Sequence, residues 1–172
     1  MPNLNKKALK PQFLKTCVVG SVLNTELVLK SEISELVEFA VNSKNTINKK
    51  VSINVVDAVE AKLLKSRTGF DLLGYKRIID KSSINHAIKE HGNAKTEASR
   101  GQIAITKKDF ELIPQIVKSE NVIYSGKSKA GIDCILYEIV INDTYYYVEE
   151  IRKGKKELCL KSLYKRKPTT KK

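Results

Sequence analysis

The fold is predicted most directly by the run "IDCILYEIVINDTYYYVEEIRKGKKELCLKSLYK", residues 132–165. Isoleucine, valine, leucine and tyrosine dominate three segments of this run, and these residue types favour β-strands. The segments cover 132–141, 144–152 and 156–165, and the short polar connections "ND" and "KGK" between them are typical of hairpin turns. We therefore predict three antiparallel strands in sequence, which form a β-meander.

Helical spacing dominates the part of the chain before this run. Between Thr25 and Ser43, apolar residues recur every three or four positions, which predicts an amphipathic helix. A second helix is expected from about Val55 to Ser66, and Gly69 is expected to close it. Helices first and a meander last indicate an α+β fold, in which N-terminal helices pack on a C-terminal antiparallel sheet.

The helix that carries both histidines of the chain is expected to begin at Asp80 or Ser82 and to end at Gly92. His86 and His91 are five positions apart, which is about 140° around a helix. They therefore do not share a face as a zinc-binding pair would, and no HExxH motif is present. We predict no metal site; each histidine is either a catalytic acid or base or a polar residue of the helix.

The segment that follows combines a loop with a further helix. The loop "EASRGQIAIT" (97–106) holds either a phosphate, through backbone N–H groups and the guanidinium of Arg100, or no ligand at all. Thr106, with Asp109 three positions later, resembles a capping box. Pro114 is expected to kink this helix or to restart it as a second short turn.

Composition and spacing also suggest a division of the chain. Residues 1–45 form a basic segment followed by the amphipathic helix, and the polar stretch 42–50 is a candidate linker. Residues 51–166 are expected to form the main domain. The end, 167–172, is expected to be a disordered basic tail.

The charge of the chain favours an anionic partner. Among 172 residues, 32 Lys and Arg oppose 19 Asp and Glu, for a formal net charge of +13. Such a surplus favours nucleic acids, because each neutralised phosphate releases counterions; an anionic protein, a membrane surface or simple solubility are alternatives. No apolar run approaches the roughly 18 residues of a membrane span, and no signal peptide is evident, so cytoplasmic action is expected. Phosphate-binding GxxxxGK[ST] and GxGxxG motifs are absent.

The three cysteines and the last two strands add further expectations. Cys134 and Cys159 stand among apolar residues, which indicates reduced, buried thiols, and Cys17 completes an odd number without CxxC spacing. Lys161 interrupts an apolar series, so its charge must face a groove, a partner or solvent. Tyrosines 145–147 alternate between faces and either stack nucleobases or pack in the core. Simple alternation groups four side chains of the last strand on one face: Leu158, Leu160, Ser162 and Tyr164.

Three segments resemble, in this order, the phage-associated barnase–EndoU–colicin–RelE-like (BECR) nucleases: "TGFDLLGYKRIIDKSSINHAIKEHGN", "EASRGQIAITKKDFELIPQIV" and "YYYVEEIRKGKKELCLKSLYK". The likeness covers roughly residues 51–166. It implies a helical part packed on a curved antiparallel sheet, with RNA cleaved in the groove between them. It also implies chemistry without a metal or cofactor: the ribose 2′-OH attacks the adjacent phosphate and leaves a cyclic phosphate and a free 5′-OH.

Matching positions give the site that the resemblance implies. The expected catalytic residues are His91, His86, Lys161 and Ser162. The expected substrate-binding residues are Arg100, Gln102, Thr106 and Tyr164. His91 is expected to be the main acid or base, and His86 is the second choice; cations stabilise the charge of the transition state. The chain departs from the family at Asn85, where members often have a basic residue, and at Ser162, where they often have threonine.

The sequence thus predicts a metal-independent endoribonuclease of the toxin or phage-effector type. Its expected substrate is RNA, with tRNA as a candidate, and an acidic immunity or antitoxin protein is an expected partner. No cofactor and no membrane partner are expected. Two alternatives stay open: a basic module that binds RNA or DNA without cutting it, and a protein-binding adaptor whose interface is the helix over residues 25–43.

Overall fold

One six-stranded sheet organises the chain. The computed structural model describes residues 13–168, with side chains from Thr25 onwards. The strands are β1 (Lys50–Val55), β2 (Lys76–Asp80), β3 (Val122–Lys127), β4 (Asp133–Val140), β5 (Thr144–Arg152) and β6 (Glu157–Arg166). Their order in the sheet is β1-β2-β6-β5-β4-β3. Neighbouring strands are antiparallel except β2 and β6, which are parallel.

The helices connect these strands and cover one face of the sheet. Phe110 from the helical layer and Tyr147 and Leu163 from the sheet meet in the core, where each is fully buried. Within residues 13–168 the helices are α1 (Phe13–Asn42), α2 (Ala58–Thr68), α3 (Lys81–His91), α4 (Ala94–Ser99), α5 (Ile113–Ile116) and the 3-10 helices Lys107–Leu112 and Lys153–Lys155.

The predicted meander and the α+β class are confirmed, since β4, β5 and β6 pair in sequence as antiparallel neighbours. The sheet is wider than the meander because β1, β2 and β3 extend it. The sequence analysis did not identify β3, a short strand with Gly126 inside it and an irregular register there. β2 pairs with only the first part of β6, from Glu157 to Cys159. The rest of that edge of β6 is therefore free for other parts of the chain.

The faces of β6 differ from the predicted alternation. Val148 of β5 pairs with Ser162, but its neighbour Glu149 pairs with Leu160, so Lys161 is an extra residue in a β-bulge. Leu160 consequently lies in the core, while Ser162 lies on the opposite face. The prediction that Leu158 and Leu160 share a face with Ser162 and Tyr164 is wrong, because a bulge shifts the alternation by one residue.

Local sequence patterns at the helix ends are confirmed. Gly69 ends α2 in the left-handed conformation, with φ 82°. Asp80 caps α3 by accepting a backbone N–H of its first turn, and Pro114 lies in the first turn of α5, which restarts the helix after Lys107–Leu112. The expected start of α2 at Val55 is too early, because Val55 ends β1 and Asp57 caps the helix.

The long helix α1 contributes to the same core. Ile33, Leu36, Val37 and Ala40 of its C-terminal half are buried, and it packs against α3 and the 3-10 helix Lys107–Leu112. It extends further towards the N-terminus than the predicted helix over residues 25–43. Among the described residues, no helix combines the length and the apolar character needed to cross a membrane.

Some predictions fall on parts that the structure does not describe. These are the expectations for residues 1–12, for the side chain of Cys17 and for most of the tail, of which only Lys167 and Pro168 are described. The division of the chain into domains stays a prediction.

A buried arginine connects the sheet to α2. Arg77 of β2 has no exposed side-chain surface. Its Nε donates to Glu149 Oε1 at 2.7 Å, and its two other nitrogens donate to Glu60, Asn54 and Tyr137. Burial alone would lower the pKa of Arg77, but Glu149, Tyr137 and Glu60 outweigh it and hold that pKa well above its usual value. The guanidinium therefore stays charged and links β1, β2, β4, β5 and α2.

Replacing Arg77 by methionine is expected to destabilise the protein by about 3–5 kcal/mol, because Glu149 would lose its cation while it stays fully buried. Denaturant unfolding measures the loss. Adding Glu149→Gln to Arg77→Met should recover part of it, since the second change removes the unpaired charge. A loss below about 1 kcal/mol in the single variant would contradict this account.

A second buried carboxylate joins the 3-10 helix Lys107–Leu112 to the meander. Asp109 accepts hydrogen bonds from Thr106, from the hydroxyl of Tyr145 (2.7 Å) and from Nζ of Lys165 (3.0 Å). Burial would raise the pKa of Asp109, but these hydrogen bonds outweigh it and lower the pKa below its usual 3.8. A lowered folded-state pKa means that the ionised form stabilises the fold above pH about 4, and that this stabilisation is lost as the pH falls through the folded-state value.

Asp109→Asn is therefore expected to cost about 2 kcal/mol at neutral pH and less at pH 2, where a larger fraction of the wild-type carboxylate is protonated than at neutral pH. Thermal or denaturant unfolding at both pH values measures the difference. The control is Glu38→Gln, since the exposed pair of Glu38 with Lys107 should change stability little. A constant cost for Asp109→Asn at both pH values would contradict the assignment.

Candidate active site

His91 is the last residue of α3 and lies beside the edge of β6 that β2 leaves uncovered. Its carbonyl accepts the N–H of Ile105 at 2.9 Å, and Ile103 forms an isolated bridge to Lys165 of β6. Gly92 ends α3, as predicted, but in a right-handed conformation with φ −89°. A Cβ at Gly92 would lie 2.5 Å from the carbonyl oxygen of Ile88, so this close approach requires glycine. The backbone around His91 is therefore fixed on both sides.

Both ring nitrogens of His91 have side-chain partners. Nδ1 lies 3.0 Å from Glu97 Oε2, and Nε2 lies 3.1 Å from Ser162 Oγ. Glu97 is fully buried in α4, and an ionised carboxylate only accepts hydrogen bonds. The proton of neutral His91 is therefore assigned to Nδ1, and Nε2 accepts from the Ser162 hydroxyl. We call these three side chains the Glu97–His91–Ser162 network. In this network the lone pair of His91 Nε2 faces the partly exposed hydroxyl of Ser162.

Two tyrosines extend the site along the sheet. The ring of Tyr164 lies 5.4 Å from that of His91, and Tyr146 stacks on Tyr164 with centroids 4.8 Å apart and planes at 9°. The guanidinium of Arg166 lies 5.6 Å from the Tyr146 centroid. Strand pairing places Tyr146 and Tyr164 on the face that also carries Val148 and Ser162, and all four are partly exposed. We call this surface the open face.

Cations flank the network on both sides. Arg100 donates to Glu97 Oε1 at 2.9 Å and to the carbonyl of Glu90, so Glu97 binds His91 with one oxygen and Arg100 with the other. Lys161 precedes Ser162 in the bulge, and its Nζ lies 3.3 Å from Glu150 Oε1. Arg100 therefore lies on the side of the network formed by Glu97, and Lys161 lies next to Ser162 in β6. Both cations are held by carboxylates in the structure.

A comparison of the sequence with protein families gives a match. Residues 54–172 match the model of the phage-Barnase-EndoU-ColicinE5/D-RelE like nuclease3 family. The chain belongs to this family. The BECR resemblance inferred from the sequence is thereby confirmed, and the family description indicates nuclease activity and a nucleic acid substrate in general. No curated protein and no solved structure matches the chain significantly.

The structure brings some of the residues predicted for a BECR nuclease together. His91, Ser162 and Tyr164 are in direct contact, and Lys161 and Arg100 each lie next to this group. Their catalytic and binding roles stay predictions, since geometry alone assigns none.

Within residues 25–168, the side chains of the other predicted site residues form no hydrogen bond with the side chains of the Glu97–His91–Ser162 network. His86 is exposed on α3, and its side chain has no hydrogen bond, ion pair or ring contact with any other described residue. Thr106 gives its hydroxyl and its N–H to Asp109, and so forms the predicted capping box. The N–H of Gln102 donates to the Glu97 carbonyl, but its buried Oε1 accepts from no other group in residues 25–168.

Two members of the site were missed by the sequence analysis of this BECR chain. Glu97 was treated only as the first residue of a phosphate-binding loop, although it stands three positions before Arg100 and follows the helix cap at Asn93. Tyr146 was assigned to the face opposite to Tyr145 and Tyr147 without a partner. Their contacts join segments far apart in the chain, which no local pattern reveals.

Cys134 and Cys159 take no part in the contacts of the candidate site. Cys134 and Cys159 are buried, as predicted, and burial raises the pKa of the Cys159 thiol to about 12, so the thiol stays protonated. Among residues 25–168, no group of three or more His, Cys, Asp and Glu side chains is placed to bind a metal ion.

The assigned tautomer of His91 is testable without any substrate. NMR of the ring nitrogens in labelled protein should show the neutral ring of His91 protonated at Nδ1, whereas exposed His86 should show the usual preference for Nε2. Glu97→Ala should return His91 to that usual preference, because the acceptor is gone.

Ser162→Ala is the matched control for this experiment, because it removes the partner of the other nitrogen and should leave the proton on Nδ1. Finding the proton of wild-type His91 on Nε2 would contradict the assignment.

Proposed function

We propose that this protein is an endoribonuclease that cleaves RNA by transesterification. The observation that supports the proposal is the contact of His91 Nε2 with Ser162 Oγ on the open face, backed by the buried carboxylate of Glu97. The attacking 2′-oxygen forms a bond to phosphorus while the bond to the 5′-oxygen breaks. The products are a 2′,3′-cyclic phosphate and a 5′-hydroxyl, so the reaction needs no water in this step.

His91 acts as the general base in this proposal. Its unprotonated Nε2 takes the proton of the 2′-OH, and Glu97 stabilises the imidazolium that forms and keeps the ring in position. Ser162 then exchanges its bond to Nε2 for a bond to a phosphate oxygen. The network therefore supplies a base and a hydrogen-bond donor within one contact.

The other groups at the open face stabilise the charge of the phosphate and donate a proton to the leaving oxygen. Lys161 stabilises the extra negative charge on the phosphate once it leaves Glu150. The 5′-oxygen must receive a proton as it departs, for which the Lys161 ammonium and the Tyr164 hydroxyl are candidates. Burial raises the pKa of Tyr164, so its hydroxyl carries its proton at neutral pH.

The biological setting follows from charge and family. We propose that the substrate is structured RNA such as tRNA, that the protein acts as a toxin or phage effector in the cytoplasm, and that an acidic immunity protein inhibits it. The net charge of +13 supports an anionic substrate and an anionic inhibitor alike.

Cleavage of RNA by the purified protein in EDTA tests the proposal. His91→Ala should reduce the rate about 100-fold or more, and Ser162→Ala by a smaller factor. The matched control is His86→Ala, the same substitution on the same helix, where an exposed ring without partners should leave the rate nearly unchanged. Equal losses in the two histidine variants would contradict the role given to His91.

Substrate chemistry separates the proposal from its competitors. An RNA oligonucleotide whose 2′-OH groups are replaced by hydrogen should resist cleavage, and the RNA product should carry a cyclic phosphate. Cleavage of the 2′-deoxy substrate would instead favour Ser162 as a nucleophile activated by His91, since the observed hydrogen bond also suits that role. Binding with no cleavage of either substrate would favour a silent nucleic-acid-binding module.

A further inference from the structure

A concentration of cations lies at one end of the sheet, away from His91. It combines the turn between β5 and β6 with the hairpin between β3 and β4. Its six members, which we call the basic end, are Lys127, Lys129, Arg152, Lys153, Lys155 and Lys156. Among residues 25–168, only two carboxylates pair with them, Asp133 and Glu150. The basic end therefore keeps a local surplus of positive charge.

A cleft of about 470 Å³ opens between the two turns. Lys127 and Lys153 both bind Asp133, at 2.7 and 2.9 Å, and so stand on either side of one carboxylate. The hydrogen bonds from these two lysines are the largest causes that hold the pKa of Asp133 well below its usual range. Asp133 therefore stays ionised and holds the two ammonium groups together at the cleft.

Three cations of the basic end have no such partner. Lys129, Lys155 and Lys156 are exposed, and no carboxylate in residues 25–168 lies within ion-pair distance of them. The backbone at this turn is tightly bent, with Lys156 in the left-handed region at φ 50° and Lys153–Lys155 forming a 3-10 turn. Like charges crowded on a short turn repel each other, so binding an anion there is favourable.

The face of β5 and β6 that carries the open face continues to the basic end, and Glu150 and Cys159 are buried between the two. The pairs Val148–Ser162 and Arg152–Glu157 belong to the same two strands, β5 and β6. Lys161 and Arg152 both approach Glu150, so cations occur at intervals along this path. From Lys156 to Ser162 the strand spans roughly 17 Å at about 3.3 Å per residue, because the bulged Lys161 does not lengthen the ladder. That span requires an extended ligand with several regularly spaced negative charges.

We propose that the basic end binds phosphate groups of the same RNA strand, several nucleotides from the phosphate that is cleaved at His91. The part of this proposal that concerns the phosphate cleaved at His91 rests on the proposed function. Binding of RNA at the basic end does not itself require cleavage. The single strand crosses the open face, and exposed lysines at the turn neutralise its backbone without contacting base edges. The favoured substrate is therefore an oligonucleotide rather than a dinucleotide.

The test removes two charges and measures binding to a single-stranded RNA of ten nucleotides with 2′-O-methyl groups, which cannot be cleaved through the 2′-OH. Lys129→Gln with Lys155→Gln should weaken binding and lower the dependence of log Kd on log salt by about 1.4, since each phosphate contact on a single strand contributes about 0.7. The matched control is Lys62→Gln with Lys108→Gln, which removes two exposed lysines from helices and should leave the slope unchanged.

Cleavage kinetics add a second measurement. For the variant at the basic end, KM should rise several-fold for a ten-nucleotide RNA, while cleavage of a dinucleotide stays at the wild-type rate. Equal effects of the two double variants on the salt slope would overturn the proposal. So would a loss of binding to polyglutamate with RNA binding intact, because the basic end would then serve an acidic protein.

The two hypotheses can fail separately. A protein that cuts neither substrate but shows the expected change in salt slope refutes the ribonuclease proposal and supports the binding site. If the variant Lys129→Gln with Lys155→Gln cuts the ten-nucleotide RNA and the dinucleotide with the KM of the wild type, the binding site is refuted and the ribonuclease proposal stands.

Discussion

The desolvated guanidinium of Arg77 must be matched by anions from several segments at once, and this requirement shapes the sheet. Glu149 and Glu60 supply the charge, and burial keeps the pKa of Glu149 above its usual value even beside Arg77. The parallel pairing of β2 with β6 is short, so this ion-pair cluster adds the specific contacts that hold β2 in place. Because β2 leads directly into α3, the position of His91 depends on it as well.

The candidate site repeats this arrangement with a single carboxylate. Glu97 is buried and binds a histidine with one oxygen and an arginine with the other. Arg100 holds the carboxylate in place, and the carboxylate in turn orients His91 towards Ser162. Arg100 thus supports His91 indirectly through Glu97, and its role in phosphate binding stays a prediction. The side chains of the network come from α3, α4 and β6, and β6 is distant in the chain from the two helices.

Much of the fold follows from local sequence patterns. The meander, the cap at Asp80, the left-handed Gly69 and the restart at Pro114 each depend on a few adjacent residues, and the structure confirms them. The contacts that build the site do not have this property. Glu97 meets His91 across a turn, and Ser162 meets it across 71 positions of the sequence, so residue types alone identify candidates without pairing them.

The bulge at Lys161 has a consequence for how the chain tolerates change in length. The residues on either side, Leu160 and Ser162, face the core and the open face just as they would in a strand one residue shorter. Lys161 has no partner in the ladder between β5 and β6, so deletion of Lys161 would leave a regular hairpin. What the extra residue adds is an ammonium group next to Ser162. The sheet gives up regular pairing at this point and gains a charge beside the open face, where the proposed reaction would take place.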